Sequence, residues 1–133
     1  MYYLSERNMK LRCIENSIRL RLRKSDIKEL KETGQTKQEV NIPGGVQFKY
    51  KLCIEVSLEE IAVGYTEQEL CVSLPEQLAM SWIDSNQVGI ESSLTLPDGA
   101  SLAILIEKDF PCRDGRDEDR ADTFFELDEN ETC

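Results

Sequence analysis

Residues 46–56 read VQFKYKLCIEV, and apolar and polar side chains alternate through the whole stretch. Side chains of a β-strand point alternately to its two faces, so this period of two predicts a strand with one buried face. The turn residues Pro43, Gly44 and Gly45 stand directly before it. Half-buried strands are typical of antiparallel sheets that pack on one side. The stretch therefore points to a sheet with a covered face and an open face.

Other segments with strand patterning lie on both sides of this one. They span residues 10–13, 17–23, 61–66, 69–74 and 88–96. Residues 102–106, LAILI, are apolar at every position, which predicts a central strand covered on both faces. Cys13 shares the face of Leu11 in the first of these strands, so we expect its thiol to be buried.

Two segments have helical rather than strand character. Ser25 is a candidate N-cap and Gly34 a candidate C-terminal cap of a short first helix. A second helix follows Pro75, and its apolar side chains at helical spacing include Trp82, which we expect to anchor the core rather than to bind a ligand. The order predicts an α+β fold with a curved, largely antiparallel sheet of about six to seven strands and two short helices. A small closed β-barrel with helices is the alternative.

A strand-helix-strand-strand unit can be read twice, over residues 18–56 and 69–106, although few residues match between the copies. We expect one domain over residues 9–112, preceded by an N-terminal extension, residues 1–8. Residues 113–133 form an acidic C-terminal tail, and its apolar side chains suggest that it docks back on the domain.

Composition restricts the function. The 133 residues carry a formal net charge of −10 and include no histidine, which removes Ser-His and Cys-His dyads and His-dependent zinc sites. The acidity argues against nucleic acid and anionic membranes as partners, and no apolar run is long enough to span a bilayer. The first ten residues lack a secretory signal, so we expect a cytoplasmic protein.

Residues 16–22, NSIRLRL, together with Ser25-Asp26-Ile27 and Thr33-Gly34, resemble the opening of an uncharacterised family of small bacterial cytosolic proteins. Residues 107–110, EKDF, followed by Cys112, are similar to the C-terminal signature of that family. Met9 would then be the usual start of its members. The resemblance implies one domain of bacterial origin but no reaction, since the family has no established activity.

Arg19, Arg21 and Arg23 recur at every second position, so they project from one face of a single strand. Guanidinium groups bind carboxylates and phosphates in bidentate fashion, which makes this face a candidate anion-binding site. The alternative is that the three arginines form cross-strand ion pairs, for example with Glu55 or Glu91, or keep the face solvated.

The five cysteines contain no C-x-x-C pair, so the spacing does not support a zinc ribbon or a thioredoxin-like site. Cys53 and Cys71 lie on the polar faces of their strands, and each is interpreted as a small side chain buried against a helix. Cys112 follows Pro111 beside Arg113, a setting that makes it the candidate reactive thiol.

An acidic run from Asp114 to Asp122 does not match the calcium-loop template, and we predict neither a metal nor another cofactor. Two functions remain open. The first is a noncatalytic cytosolic domain that binds a protein or a small ligand. The second is an enzyme or sensor for a small anionic metabolite, phosphorylated or carboxylated, held by Arg19, Arg21 and Arg23. A flat face with each arginine ion-paired favours the first function, whereas a concave pocket with converging, unpaired arginines favours the second.

Overall fold

The structure, a computed structural model, describes residues 9–110 of the chain. The N-terminal extension, the candidate thiol Cys112 and the acidic C-terminal segment lie outside the described residues. Within them the chain forms eight strands and two helices: β1 (Lys10–Ile14), β2 (Ser17–Leu22), α1 (Lys24–Thr33), β3 (Gln35–Ile42), β4 (Val46–Glu55), β5 (Ala62–Thr66), β6 (Glu69–Pro75), α2 (Glu76–Ile83), β7 (Gly89–Thr95) and β8 (Ser101–Lys108).

The strands divide into two four-stranded sheets. Sheet A has the order β1-β2-β8-β7, and sheet B has the order β3-β4-β6-β5. The outer pairs of each sheet are antiparallel, whereas the central pairs, β2 with β8 and β4 with β6, are parallel. Neither sheet closes into a barrel, and the α+β class predicted from the sequence is confirmed.

The two sheets are built from two equivalent halves of the chain. The N-terminal half, β1 to β4 with α1, and the C-terminal half, β5 to β8 with α2, share the order hairpin, helix, hairpin. Each half gives one hairpin to each sheet, so within the sheets the halves are joined by the parallel strand pairs. Corresponding backbone hydrogen bonds support the equivalence: Ala103 N donates to Asn16 O at 3.1 Å, and Lys49 N donates to Gln68 O at 2.9 Å.

One apolar core joins both sheets and both helices. It is formed by buried side chains from the inward positions of the strands and from the helices, among them Leu20, Leu22, Leu30, Leu52, Leu74, Trp82, Ile104 and Ile106. Trp82 is fully buried, and its Nε1 donates to the carbonyl of Val88 at 3.0 Å. The prediction that this tryptophan anchors the core is confirmed.

The C-terminal end of α1 agrees with the sequence prediction, whereas its N-terminal end differs from it. Gly34 adopts a φ of 88°, a left-handed conformation that glycine tolerates, and its N–H donates to Leu30 O at 2.9 Å. The helix begins at Lys24, with Arg23 rather than Ser25 as the N-cap residue. Asp26 Oδ2 accepts the Arg23 N–H at 2.8 Å, so the helix start is capped from its own first turn.

Two expectations about burial are wrong. Cys13 is exposed, although its side chain shares the face of Leu11. It lies on edge strand β1 opposite Ile18, one residue before the strand ends, so it has a neighbouring strand on one side only. β8 is central in sheet A, but only one of its faces is covered: Ile104 and Ile106 are buried, whereas Ala103 is exposed on the other face.

Candidate functional site

Two of the three arginines of the predicted anion site, Arg19 and Arg21, lie on the outer face of sheet A, the face directed away from the core. Arg19 and Arg21 alternate along β2 with the buried Leu20 and Leu22, as the period of two requires. Arg23 follows at the strand end as the N-cap residue of α1. Arg19 and Arg21 thus share one face of β2, as the sequence predicted, whereas Arg23 lies beyond the end of that strand.

Glu107 of β8 neutralises two of these arginines. Arg19 Nε and Nη2 lie 2.9 and 2.8 Å from Glu107 Oε1, and Arg21 Nε donates to the same oxygen at 2.8 Å. The Glu107 side chain is only 12% exposed, while those of Arg19 and Arg21 are about one-third exposed. Partial burial strengthens such charge-assisted hydrogen bonds, because less water competes for the same donors.

Asp109 completes the pairing at the next row of the face. Its Oδ2 lies 3.6 Å from Arg23 Nε and 3.3 Å from Lys10 Nζ. Asp109 N donates to Leu22 O at 2.8 Å, which fixes the residue just beyond β8 against the end of β2. All three arginines predicted as an anion site thus contact a carboxylate, and the partners are Glu107 and Asp109 rather than Glu55 or Glu91.

An open cavity of about 600 Å³ lies on the same face, next to the paired arginines. Its outward-facing lining comes from small side chains, Ser17, Ser93 and Ala103, together with Leu105. Arg19 borders it on one side and Glu91 on the other. The cavity is thus a shallow depression over a sheet, with an apolar residue near its middle.

Four residues that pair with one another across the strands of sheet A form a row beside this cavity, and their charges change along the row. Arg12 pairs with Arg19, Arg19 with Leu105, and Leu105 with Glu91. Arg12 and Glu91 are exposed, and neither has an ion pair within residues 9–110. The row therefore carries positive charge at one edge, an apolar centre and negative charge at the other edge.

Asp26 is the buried carboxylate of the described chain, with 4% of its surface exposed. Burial raises its pKa, and the nearby charges of Glu29 and Asp109 act in the same direction, while the hydrogen bond from Arg23 N opposes them. Burial also raises the pKa of Tyr50, with a smaller contribution from the charge of Asp26. These two groups face the interior rather than the cavity of sheet A.

The cysteines are arranged in a way that sequence reasoning missed. Cys53 on β4 and Cys71 on β6 lie on the outer face of sheet B, with their Sγ atoms 3.5 Å apart. The sequence showed that both belong to polar strand faces, but their contact depends on the parallel pairing of β4 with β6. Cys53 is buried, as expected, and Cys71 is half-buried, but within residues 9–110 they lie on the sheet face opposite the core rather than between the sheet and a helix.

A second cavity, of about 640 Å³, lies at the start of α2 beside Val56, Leu58 and Pro75. Two glutamates, Glu59 and Glu76, contribute its charged lining. Within residues 9–110 no three His, Cys, Asp or Glu side chains come together in a way that could hold a metal ion. The same part of the chain contains no helix with the length and hydropathy of a membrane span.

The fold and the charged face define an α+β protein of two mixed sheets with an open, ion-paired face. Comparison with family models matches residues 9–127 to a family described as a family of unknown function (DUF7009). The chain belongs to this family. No curated protein matches it.

Proposed function

We propose that the chain is a noncatalytic binding domain of the cytosol, and that the outer face of sheet A binds an extended segment of a partner protein. The observation that carries the proposal is the pairing of Arg19 and Arg21 with Glu107. An anion that approached these arginines would have to displace a carboxylate that is already held by both. The face therefore favours a partner that uses its remaining surface. This surface consists of the depression over Leu105 and the charges of Arg12 and Glu91, which have no ion pair among the described residues.

The size of the charged row supports a peptide segment rather than a metabolite. Neighbouring strands lie about 4.8 Å apart, so the three strand spacings from Arg12 on β1 to Glu91 on β7 separate these residues by about 14 Å. A small phosphorylated or carboxylated metabolite does not span that distance. A segment with an acidic side chain, an apolar side chain and a basic side chain can contact Arg12, Leu105 and Glu91 in that order.

Small residues at the centre of the face make room for such a segment. Ser17, Ala103 and Ser93 form the adjacent row, so the segment can lie close to the sheet without a clash. The net charge of −10 opposes a nucleic-acid partner, whose phosphates would be repelled. An anionic metabolite bound at Arg19, Arg21 and Arg23 is the alternative, and it predicts a different response to mutation.

A peptide selection tests the proposal. A random peptide library is selected against the immobilised full chain, and the affinity of the selected peptides is measured by titration. Ala103→Arg places a long side chain in the depression, and Thr66→Arg places the same side chain on the exposed outer face of sheet B as the matched control. We expect affinity to fall at least roughly tenfold with Ala103→Arg, a loss of about 1.4 kcal/mol, and to be kept with Thr66→Arg.

Peptides that bind both variants as well as the wild type would place the binding face elsewhere. A parallel thermal-shift screen with polyanionic metabolites tests the alternative. A metabolite that stabilises the wild type, and whose effect Arg21→Ala abolishes, would replace the peptide proposal by the anion site.

A further inference from the structure

The two halves of the chain meet at two equivalent seams, the parallel pair β2–β8 in sheet A and the parallel pair β4–β6 in sheet B. In sheet A the register pairs Arg21 with Glu107, and Arg19, two residues earlier, reaches Glu107 diagonally across the seam. In sheet B the register pairs Ser73 with Cys53, and Cys71, two residues earlier, reaches Cys53 along the equivalent diagonal. The position that carries an ion pair in one seam thus carries a thiol pair in the other.

We propose that Cys53 and Cys71 form a thiol–disulfide site, which a small-molecule disulfide such as oxidised glutathione converts into a reversible cross-link between the two halves. The Sγ atoms already lie at 3.5 Å, so bond formation requires an approach to about 2.05 Å. This inference is independent of the binding face on sheet A, because the two thiols lie on the outer face of the other sheet.

Exposure decides which thiol reacts first. Cys53 is 8% exposed, and burial together with the neighbouring Cys71 raises its pKa to about 12, so it remains a protonated thiol. Cys71 is half-buried, and its register partner on β5 is Gly64, where an added Cβ would meet nothing within 4 Å. The missing side chain at Gly64 leaves a path to the sulfur of Cys71.

The reaction then has two exchange steps. Cys71 attacks oxidised glutathione, forms a mixed disulfide and releases one glutathione, which takes up the proton of the Cys71 thiol. In the mixed disulfide Cys71 no longer raises the pKa of Cys53 through its hydrogen bond and charge, so Cys53 can give up its proton and attack the Cys71 sulfur as a thiolate. The second glutathione leaves and takes up that proton. One disulfide is reduced and one is formed, so atoms and electrons balance without a further reactant.

Strand geometry makes the cross-link easy to reverse. Cys71 is offset by two residues along the strand from the residue that pairs with Cys53. In a flat sheet this offset and the spacing between strands place the two Cα atoms about 8 Å apart. The twist of a sheet shortens one of the two diagonal distances between neighbouring strands. Unstrained disulfides join Cα atoms about 4.4 to 6.8 Å apart, so closing this one requires a local shift of the backbone of β4 or β6. Strained disulfides are the readily reduced ones, which suits a reversible rather than a structural bond.

The test uses the full chain with Cys13→Ser, Cys112→Ser and Cys133→Ser, so that only the proposed pair remains. The folded protein is incubated with oxidised glutathione, and products are identified by intact mass and peptide mapping under acid quench. We expect a protein that has lost two hydrogen atoms and carries a Cys53–Cys71 bond, and reduced glutathione should restore the dithiol. With Cys53→Ala added, one glutathione should stay attached to Cys71; with Cys71→Ser instead, the folded protein should remain unmodified.

A matched pair of variants tests the access path. Gly64→Val should slow the first exchange roughly threefold or more, because a branched side chain then stands beside Cys71. Thr66→Val, on the same face of β5 but beside Glu69, should leave the rate unchanged. Glutathione that persists on Cys71 while Cys53 is present would overturn the inference. So would a folded protein that does not react although the denatured chain does, or a bond that reduced glutathione fails to open.

Discussion

Arg19 on β2 and Glu107 on β8 lie in contact across the seam between the two halves of the chain, with Arg19 Nη2 2.8 Å from Glu107 Oε1. The same oxygen accepts from Arg21, so one poorly exposed carboxylate neutralises two guanidiniums. Glu107 therefore has two structural consequences. It ties the C-terminal half to the N-terminal half, and it occupies the side of the arginines that an anionic ligand would need.

Replacement of Glu107 by glutamine should destabilise the fold. Glutamine keeps the shape but loses the charge that two arginines share, and we expect the free energy of unfolding to fall by about 1 to 2 kcal/mol. Glu91→Gln, on the same face but without an ion pair in the part of the chain that the structure describes, should change it by less than about 0.5 kcal/mol. Denaturant titrations of both variants measure the difference, and equal losses would mean that the Glu107 pairs add nothing to stability.

We also expect Glu107 to limit the binding of anions at Arg19 and Arg21. In the wild type we expect no thermal shift that depends on Arg21 when inorganic pyrophosphate is added, because Glu107 occupies the guanidinium. In Glu107→Ala the freed arginines should bind it, and at 100 times the dissociation constant the gain would be about 2.7 kcal/mol. Adding Arg21→Ala should remove that gain. An Arg21-dependent shift of the wild type would instead favour the anionic-metabolite function.

Leu20 tests the assignment of strand faces. It is 1% exposed and packs in the core, so Leu20→Ala should cost about 2 to 5 kcal/mol of unfolding free energy. Ile14, at the end of the neighbouring strand, is 46% exposed, and Ile14→Ala should cost less than about 1 kcal/mol. A reversible denaturant titration compares the two. Similar losses for both variants would contradict the separation into a core face and an outer face.

The local periodicity of apolar side chains was sufficient to predict most helices and strands of the fold. The alternating pattern of residues 46–56 and of residues 17–22 corresponds to β4 and β2, and the helical spacing around Trp82 corresponds to α2. β3 was not predicted, because residues 35–42, QTKQEVNI, are mostly polar and only Thr36 among them is buried. A strand that lies at a sheet edge and leaves most side chains in solvent lacks the contrast on which periodicity depends.

Contacts between distant segments could not be predicted from the sequence. The period of two placed Arg19 and Arg21 on one face, but the choice of Glu107 as partner depends on the parallel pairing of β2 with β8. The contact between Cys53 and Cys71 depends in the same way on β4 and β6. The sequence allowed us to predict that the arginines could form ion pairs. Which carboxylate pairs with them depends on the strand order, which the sequence does not reveal.

Asp26 should give the protein a pH dependence whose sign follows from its burial. Its pKa is raised above the ordinary value of about 3.9, chiefly by burial, so the native state binds the proton more tightly than the unfolded state. The corresponding stabilisation is fully present below about pH 3.9 and is lost as the pH rises through the native pKa. Charges that face it include Arg23, Glu29 and Asp109.

Two substitutions separate this charge from the hydrogen bond that it accepts. Asp26→Asn keeps an oxygen for the Arg23 N–H but cannot ionise, so its stability relative to the wild type should increase from acid to neutral pH. Asp26→Ala should show the same trend and, at every pH, a lower stability than Asp26→Asn by about 0.5 to 2 kcal/mol, because the first turn of α1 loses its acceptor. Unfolding free energies between pH 3 and pH 8 measure both effects. A difference between wild type and Asp26→Asn that stays constant over this range would contradict the raised pKa of Asp26, since only a proton bound differently in the two states can change it with pH.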